Sequence, residues 1–102
     1  MQICFWMEVM EKLPKNEDFG LRSQMTRAVV SVISNFVEGY LKKSIKEKLY
    51  FMETAETSLL ELEAQSEICL ALNYWNEDDY SLFDKKRSEV GYFLFHYRDK
   101  IK

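Results

Sequence analysis

Two sets of polar residues at helical spacing are the strongest candidates for chemistry in this chain. Arg27, Ser31, Asn35 and Glu38 are spaced four, four and three apart, and Ser58, Glu61 and Gln65 three and four apart. Such intervals place each set along one face of a helix. Brought together, a guanidinium, carboxylates, carboxamides and hydroxyls could line a polar pocket. They could equally form a hydrogen-bonded seam that fixes the register of two antiparallel helices, and this structural reading is the preferred one. A partly buried Arg27 would need a carboxylate partner, because an unpaired guanidinium away from water is costly. Glu61 is the expected partner.

Catalytic chemistry finds little support. A di-metal carboxylate site in a helical protein needs Glu-x-x-His motifs on two helices. The only histidine is His96, and the residue three before it is Phe93. A serine or cysteine nucleophile would need that same histidine as its base, and nothing in the sequence brings them together. His96 falls off the apolar seam of its helix and is expected at the surface or at an interface. With three glycines in the whole chain, no glycine-rich phosphate loop is present. Cys4 and Cys69 are too few for a disulfide framework and sit among apolar residues, as reduced core thiols do. The sequence therefore predicts no catalytic residue, no cofactor-binding residue, no metal site and no small-molecule substrate.

Cations form two clusters. Lys42, Lys43, Lys46 and Lys48 gather with Tyr40 and Tyr50 nearby, and Lys85, Lys86 and Arg87 follow one another directly. Both are candidate phosphate contacts, and repetition around a ring would multiply them. The pI near 5.2 runs against this, since nucleic-acid-binding domains are usually strongly basic. Any such binding is expected to be weak and salt-sensitive. Residues 1–48 carry a charge of +2, residues 49–84 carry −9 with no Lys or Arg, and residues 85–102 carry +4. The acidic middle can be met by basic flanks within one molecule, or by the basic flank of a second copy.

The elements that must position these residues are helical. The 102 residues fit one domain, residues 1–102, with 47% hydrophobic residues to fill a core. Only one proline and three glycines occur, which argues against a turn-rich β architecture. No apolar run approaches a membrane span. The start of the chain lacks the basic stretch of a signal peptide, so the cytoplasm is the expected compartment. Residues 1–13 are predicted as a short helix with apolar Ile3, Phe5, Trp6, Val9, Met10 and Leu13, stopped by Pro14. Asn16 or Asp18 would cap a second helix running to about Tyr40, and Gly39 would supply a left-handed stop. Its apolar stripe is Leu21, Met25, Ala28, Val29, Val32, Ile33, Phe36, Val37 and Tyr40. Ser44 and Glu47 match a capping box and open the longest helix, to about Asn73, roughly 43 Å in length. Its stripe is Phe51, Ala55, Leu59, Leu62, Cys69 and Leu72. Asn76 caps a last helix reaching about Lys100, with Asp78 and Asp79 in its first turn. Tyr80, Phe83, Val90, Leu94, Tyr97 and Ile101 form its seam. Four helices on short connections imply an all-α, up-down-up-down bundle with a shortened first helix. At about 18 Å, that helix covers less than half of the third. Apolar surface left uncovered usually marks an interface, so the chain is expected to self-associate.

Several segments also carry a family resemblance. Phe19-Gly20-Leu21-Arg22-Ser23-Gln24, Arg27-Ala28-Val29-Val30-Ser31-Val32, Ser34-Asn35-Phe36-Val37-Glu38-Gly39 and Ser58-Leu59-Leu60-Glu61-Leu62-Glu63-Ala64-Gln65 occur in this order. They resemble the FGL-x-SQ, RAAVSI, SNIAEG and SLAELETQ elements of the small bacterial proteins encoded in intervening sequences of 23S ribosomal RNA genes. Relatives of that family include accessory proteins of diversity-generating retroelements. The resemblance implies a four-helix up-down bundle, a ring-like homopentamer and no established enzymatic activity. Nucleic-acid binding through the two basic clusters is the alternative it leaves. Two positions depart from the pattern: the family's first helix is about twice as long, and Ile33 stands where the family has a proline.

Overall fold

The computed structural model describes residues 10–15 and 20–101. Three helices, α1 (Leu21–Leu41), α2 (Ile45–Ala71) and α3 (Glu77–Ile101), account for most of them, and no strand occurs among the described residues. The expected fourth element, the helix over residues 1–13, lies outside the described residues except for 10–13. So do the candidate caps Asn16 and Asp18, and Cys4. Of that segment, Met10 and Leu13 are buried, and the Leu13 amide donates to the Met10 carbonyl at 3.1 Å. Pro14 follows directly.

α1 pairs with α2 as an antiparallel hairpin. Gly39 lies against Phe51 and Met52, Ser31 against Ser58, and Met25 against Cys69. α3 returns antiparallel to α2, with Gly91 facing Leu59 and Arg87 facing Glu63. Phe36 of α1 meets Phe93 and Tyr97 of α3, with ring centroids 5.4 Å apart in each pair. The core lies between the three helices. Met25, Met52, Ala55, Leu62, Cys69 and Phe83 are fully excluded from water there.

The apolar stripes hold at their inner positions and fail at their edges. Val37, Tyr40 and Leu72 are each about half exposed or more, at 47%, 60% and 52%. Met52 and Ser66, which the spacing did not single out, are fully buried. α1 runs unbroken through Ile33.

The ends of the helices show which local signals act. Ser44 caps α2 by accepting from the Glu47 amide at 3.4 Å, and Asn76 caps α3 by accepting from the Asp79 amide at 2.8 Å. Gly39 does not supply a left-handed stop. No described glycine has a positive φ, and Gly39 sits buried inside α1. A Cβ there would stand 2.6 Å from Met52 Cε and 2.9 Å from Phe51 Cβ, so the glycine is needed for close approach of the two helices. α1 ends instead on an extended residue, Lys42. The left-handed stop belongs to α2, where Asn73 has φ 61°. The Asn73 amide donates to Leu70 and the Tyr74 amide to Cys69, at 3.0 and 2.9 Å, the paired bonds of a Schellman ending. The same turn buries Trp75, whose ring lies 4.9 Å from Phe83.

Candidate functional site

The polar seam forms where α1 and α2 cross, and it divides into an interior and a rim. Inside, Ser58 is buried and Ser31 and Asn35 are half-buried. Ser31 Oγ and Ser58 Oγ lie 2.6 Å apart, and Ser58 Oγ donates to the Thr54 carbonyl at 3.2 Å. Asn35 Nδ2 donates to Ser31 Oγ at 3.0 Å and to the Ser31 carbonyl at 2.7 Å. A hydroxyl has one proton to give. Since Ser58 spends its own on Thr54, Ser31 is the donor between the two serines. The result is a directed chain, Asn35 to Ser31 to Ser58 to Thr54, in which every hydroxyl proton has an acceptor.

The charged members of the set stand outside this chain. Arg27, Glu38 and Glu61 are exposed. This corrects the expectation of a buried Arg27 bonded to Glu61: among the described residues, no ion pair joins Arg27 to any carboxylate. The physical reason is space. Two helices that meet through serine hydroxyls leave no room for a guanidinium between them, and the long stem of Arg27 carries its charge to water. Glu38 lies 3.9 Å from Lys42 one turn on, a surface pair. Arg27, Glu61, Gln24 and Gln65 nevertheless share one feature with the seam. They line, together with Ala28, Ser31 and Ser58, an open recess of about 420 Å³. Gln65 is half-buried, and its Oε1 atom is buried without a hydrogen bond.

The cation clusters are partly consumed by the fold. Lys48 Nζ donates to the carbonyls of Tyr40 at 2.9 Å and Gly39 at 3.4 Å. It thereby places a positive charge at the negative end of α1. Lys42 lies 5.5 Å from the centre of the Phe51 ring. Lys43 and Lys46 are exposed. In the second cluster, Arg87 is held by Asp84 at 2.8 Å and by Glu63 at 3.8 Å, and Lys86 lies 4.0 Å from Glu89. Only Lys85 is fully turned to solvent. Arg98 and Glu56 meet at 3.1 Å. The basic flank thus meets the acidic middle within the molecule, at Arg87–Glu63 and Arg98–Glu56. The Tyr80 phenol lies among these carboxylates. Burial, with Asp84, Glu67 and Glu63 nearby, raises its pKa above the ordinary value, against a smaller opposite pull from Arg87.

His96 is exposed, as its position off the seam predicts, and its ring lies 4.1 Å from that of Tyr92. With Phe93, Tyr97, Asp99 and Lys100, the two line a second recess of about 500 Å³. No group of three or more His, Cys, Asp or Glu residues suited to a metal occurs among the described residues. Cys69 is a free, buried thiol whose Sγ lies 3.8 Å from Met25 Sδ. None of the helices is long and apolar enough, over the described residues, to cross a membrane.

The family model for the 23S rRNA-intervening sequence protein matches residues 3–96 of the chain. No curated protein matches it.

Proposed function

The chain belongs to the 23S rRNA-intervening sequence protein family, and from that premise we propose that it acts without catalysis, as a cytoplasmic subunit that assembles with copies of itself. The number five comes from the family resemblance. In this reading the N-terminal segment completes an up-down-up-down four-helix bundle, and rings of such bundles are the working form.

One observation carries the proposal: apolar residues repeat on the faces of α1 and α2 that point away from the core. On α1 these are Val30, Val37 and Leu41, exposed at 55%, 47% and 69%. On α2 they are Leu60 and Ile68, at 62% and 45%, on either side of exposed Ala64. Each set follows a helical period, so each is a stripe rather than scattered single residues. Stripes of this kind are what contacts between subunits bury. Light scattering coupled to size exclusion at micromolar concentration tests the proposal. The expected mass is about five times the 12.2 kDa of the chain. A mass near one chain overturns assembly, and a stable dimer overturns the ring.

A second reading, weak contact with RNA, is favoured by Lys43 and Lys46. They stand free at the α1–α2 turn beside Tyr40 and Tyr50, which are 60% and 63% exposed. Aromatic faces beside cations suit single-stranded nucleic acid. Changing both lysines to Glu is expected to abolish such binding, and binding that survives the change at physiological salt overturns this site.

A further inference from the structure

The recess over the α1–α2 seam has a chemistry that neither assembly nor RNA contact uses. We propose that it binds a small zwitterion of the free α-amino-acid class, with the carboxylate of the ligand at Arg27 and its ammonium at Glu61.

The lining residues differ in what they have left to offer. Ser31 and Ser58 have given their hydroxyl protons to the internal chain and form the floor. Arg27 retains its donors and Glu61 its acceptors, because the two opposite charges line one recess without coming within ion-pair distance of each other. Gln65 walls the recess, with its Oε1 closed off from it. One molecule satisfies both charges at once if it carries an anion at one end and an N–H-bearing cation at the other.

The same residues exclude other classes. A phosphate or a polyanion would meet the Glu61 carboxylate. An apolar molecule would find only the methyl group of Ala28 among the lining side chains. No aromatic ring lines the recess, so a nucleobase would gain no stacking. A volume of about 420 Å³ holds a free amino acid with room for a polar side chain.

Saturation-transfer NMR on the full-length protein tests this whether or not the chain assembles, because the signal is read on the ligand. The probe is L-glutamine, with acetate and methylammonium as its separate halves. Glycine betaine serves as a zwitterion that has no N–H to give. Saturable binding of L-glutamine with a Kd in the millimolar range or tighter is expected, with each half and the betaine at least about tenfold weaker. Arg27→Met and Glu61→Gln should each weaken L-glutamine by about tenfold or more, whereas Lys85→Gln should not. Arg27 and Glu61 are exposed, so neither change threatens the fold. No saturable signal by about 50 mM means water alone fills the recess and overturns the proposal. Equal binding of acetate overturns it as well, as does undiminished binding to Arg27→Met or Glu61→Gln.

Discussion

On one side α2 meets α1 through small, uncharged groups; on the other it meets α3 through a buried apolar contact edged by ion pairs. The first seam holds Gly39, Ala28, Ala55 and the Asn35–Ser31–Ser58–Thr54 chain. The second holds Leu59 against Gly91, with Arg87–Glu63 and Arg98–Glu56 at its edge. Both antiparallel pairs need a device that sets register, because an apolar stripe alone tolerates sliding by a turn. The α1–α2 pair sets it with directed hydrogen bonds between uncharged groups, where a misplaced hydroxyl would lose its partner. The α2–α3 pair sets it with charges that stay partly in water. There attraction acts over longer range but contributes little free energy. The two devices should respond differently to volume, to loss of a hydroxyl and to salt.

The largest response should come from volume at the closest point. Gly39→Val forces the helices apart against Phe51 Cβ, at a cost of about 2–3 kcal/mol. Urea denaturation at fixed protein concentration measures it. A midpoint equal to that of the unmodified protein would mean that α1 and α2 are not in close contact at position 39. A smaller loss is expected from Ser58→Ala, which leaves the Ser31 hydroxyl without its acceptor and should cost about 1–2 kcal/mol. This loss should be the same at low and high salt; a loss that disappears in salt would show that the seam is not the neutral contact described. The smallest is expected from Arg98→Met, at about 0.2–1 kcal/mol. Its effect should shrink in about 1 M sodium chloride, where charges open to solvent are screened within a few ångströms. Persistence of the full loss in salt would assign Arg98 to packing rather than to its charge on Glu56.

The sequence made the two helix starts at Ser44 and Asn76 legible because a cap is a local device, written within four residues. The inner stripes of α1 and α2 were legible for the same reason, since periodicity needs no knowledge of the partner. What could not be read depends on how far apart two helices stand. Gly39 has the appearance of a helix terminator from its place near the end of α1, yet its purpose is a close approach to Met52 and Phe51 that only the packed pair reveals. Arg27 follows the spacing of the seam, but spacing gives a direction around the helix and not a depth. The small size of Ser31 and Ser58 was the available hint that no guanidinium could fit between them. Lys48 read as one of four solvent cations, and its bonds to Tyr40 and Gly39 arise only once the turn has brought α2 back over the end of α1. The family resemblance drew on residues from both kinds of position, the legible and the hidden, and so reached the family without explaining the geometry.

Gly39 also bears on how the gene can change. Every glycine codon is one base from codons for alanine, valine, aspartate or glutamate and others, and each of those residues brings a Cβ. The nearest substitution, alanine, already places that atom 2.6 Å from Met52 Cε and 2.9 Å from Phe51 Cβ. Position 39 therefore has no free amino-acid replacement: among sense codons, a single-base change is either synonymous or adds an atom where α1 meets α2. Met52 can swing its terminal methyl aside, but Phe51 Cβ is fixed to its backbone, so trimming position 52 alone does not open position 39 to variation. Only a wider spacing of α1 and α2 would admit a side chain there.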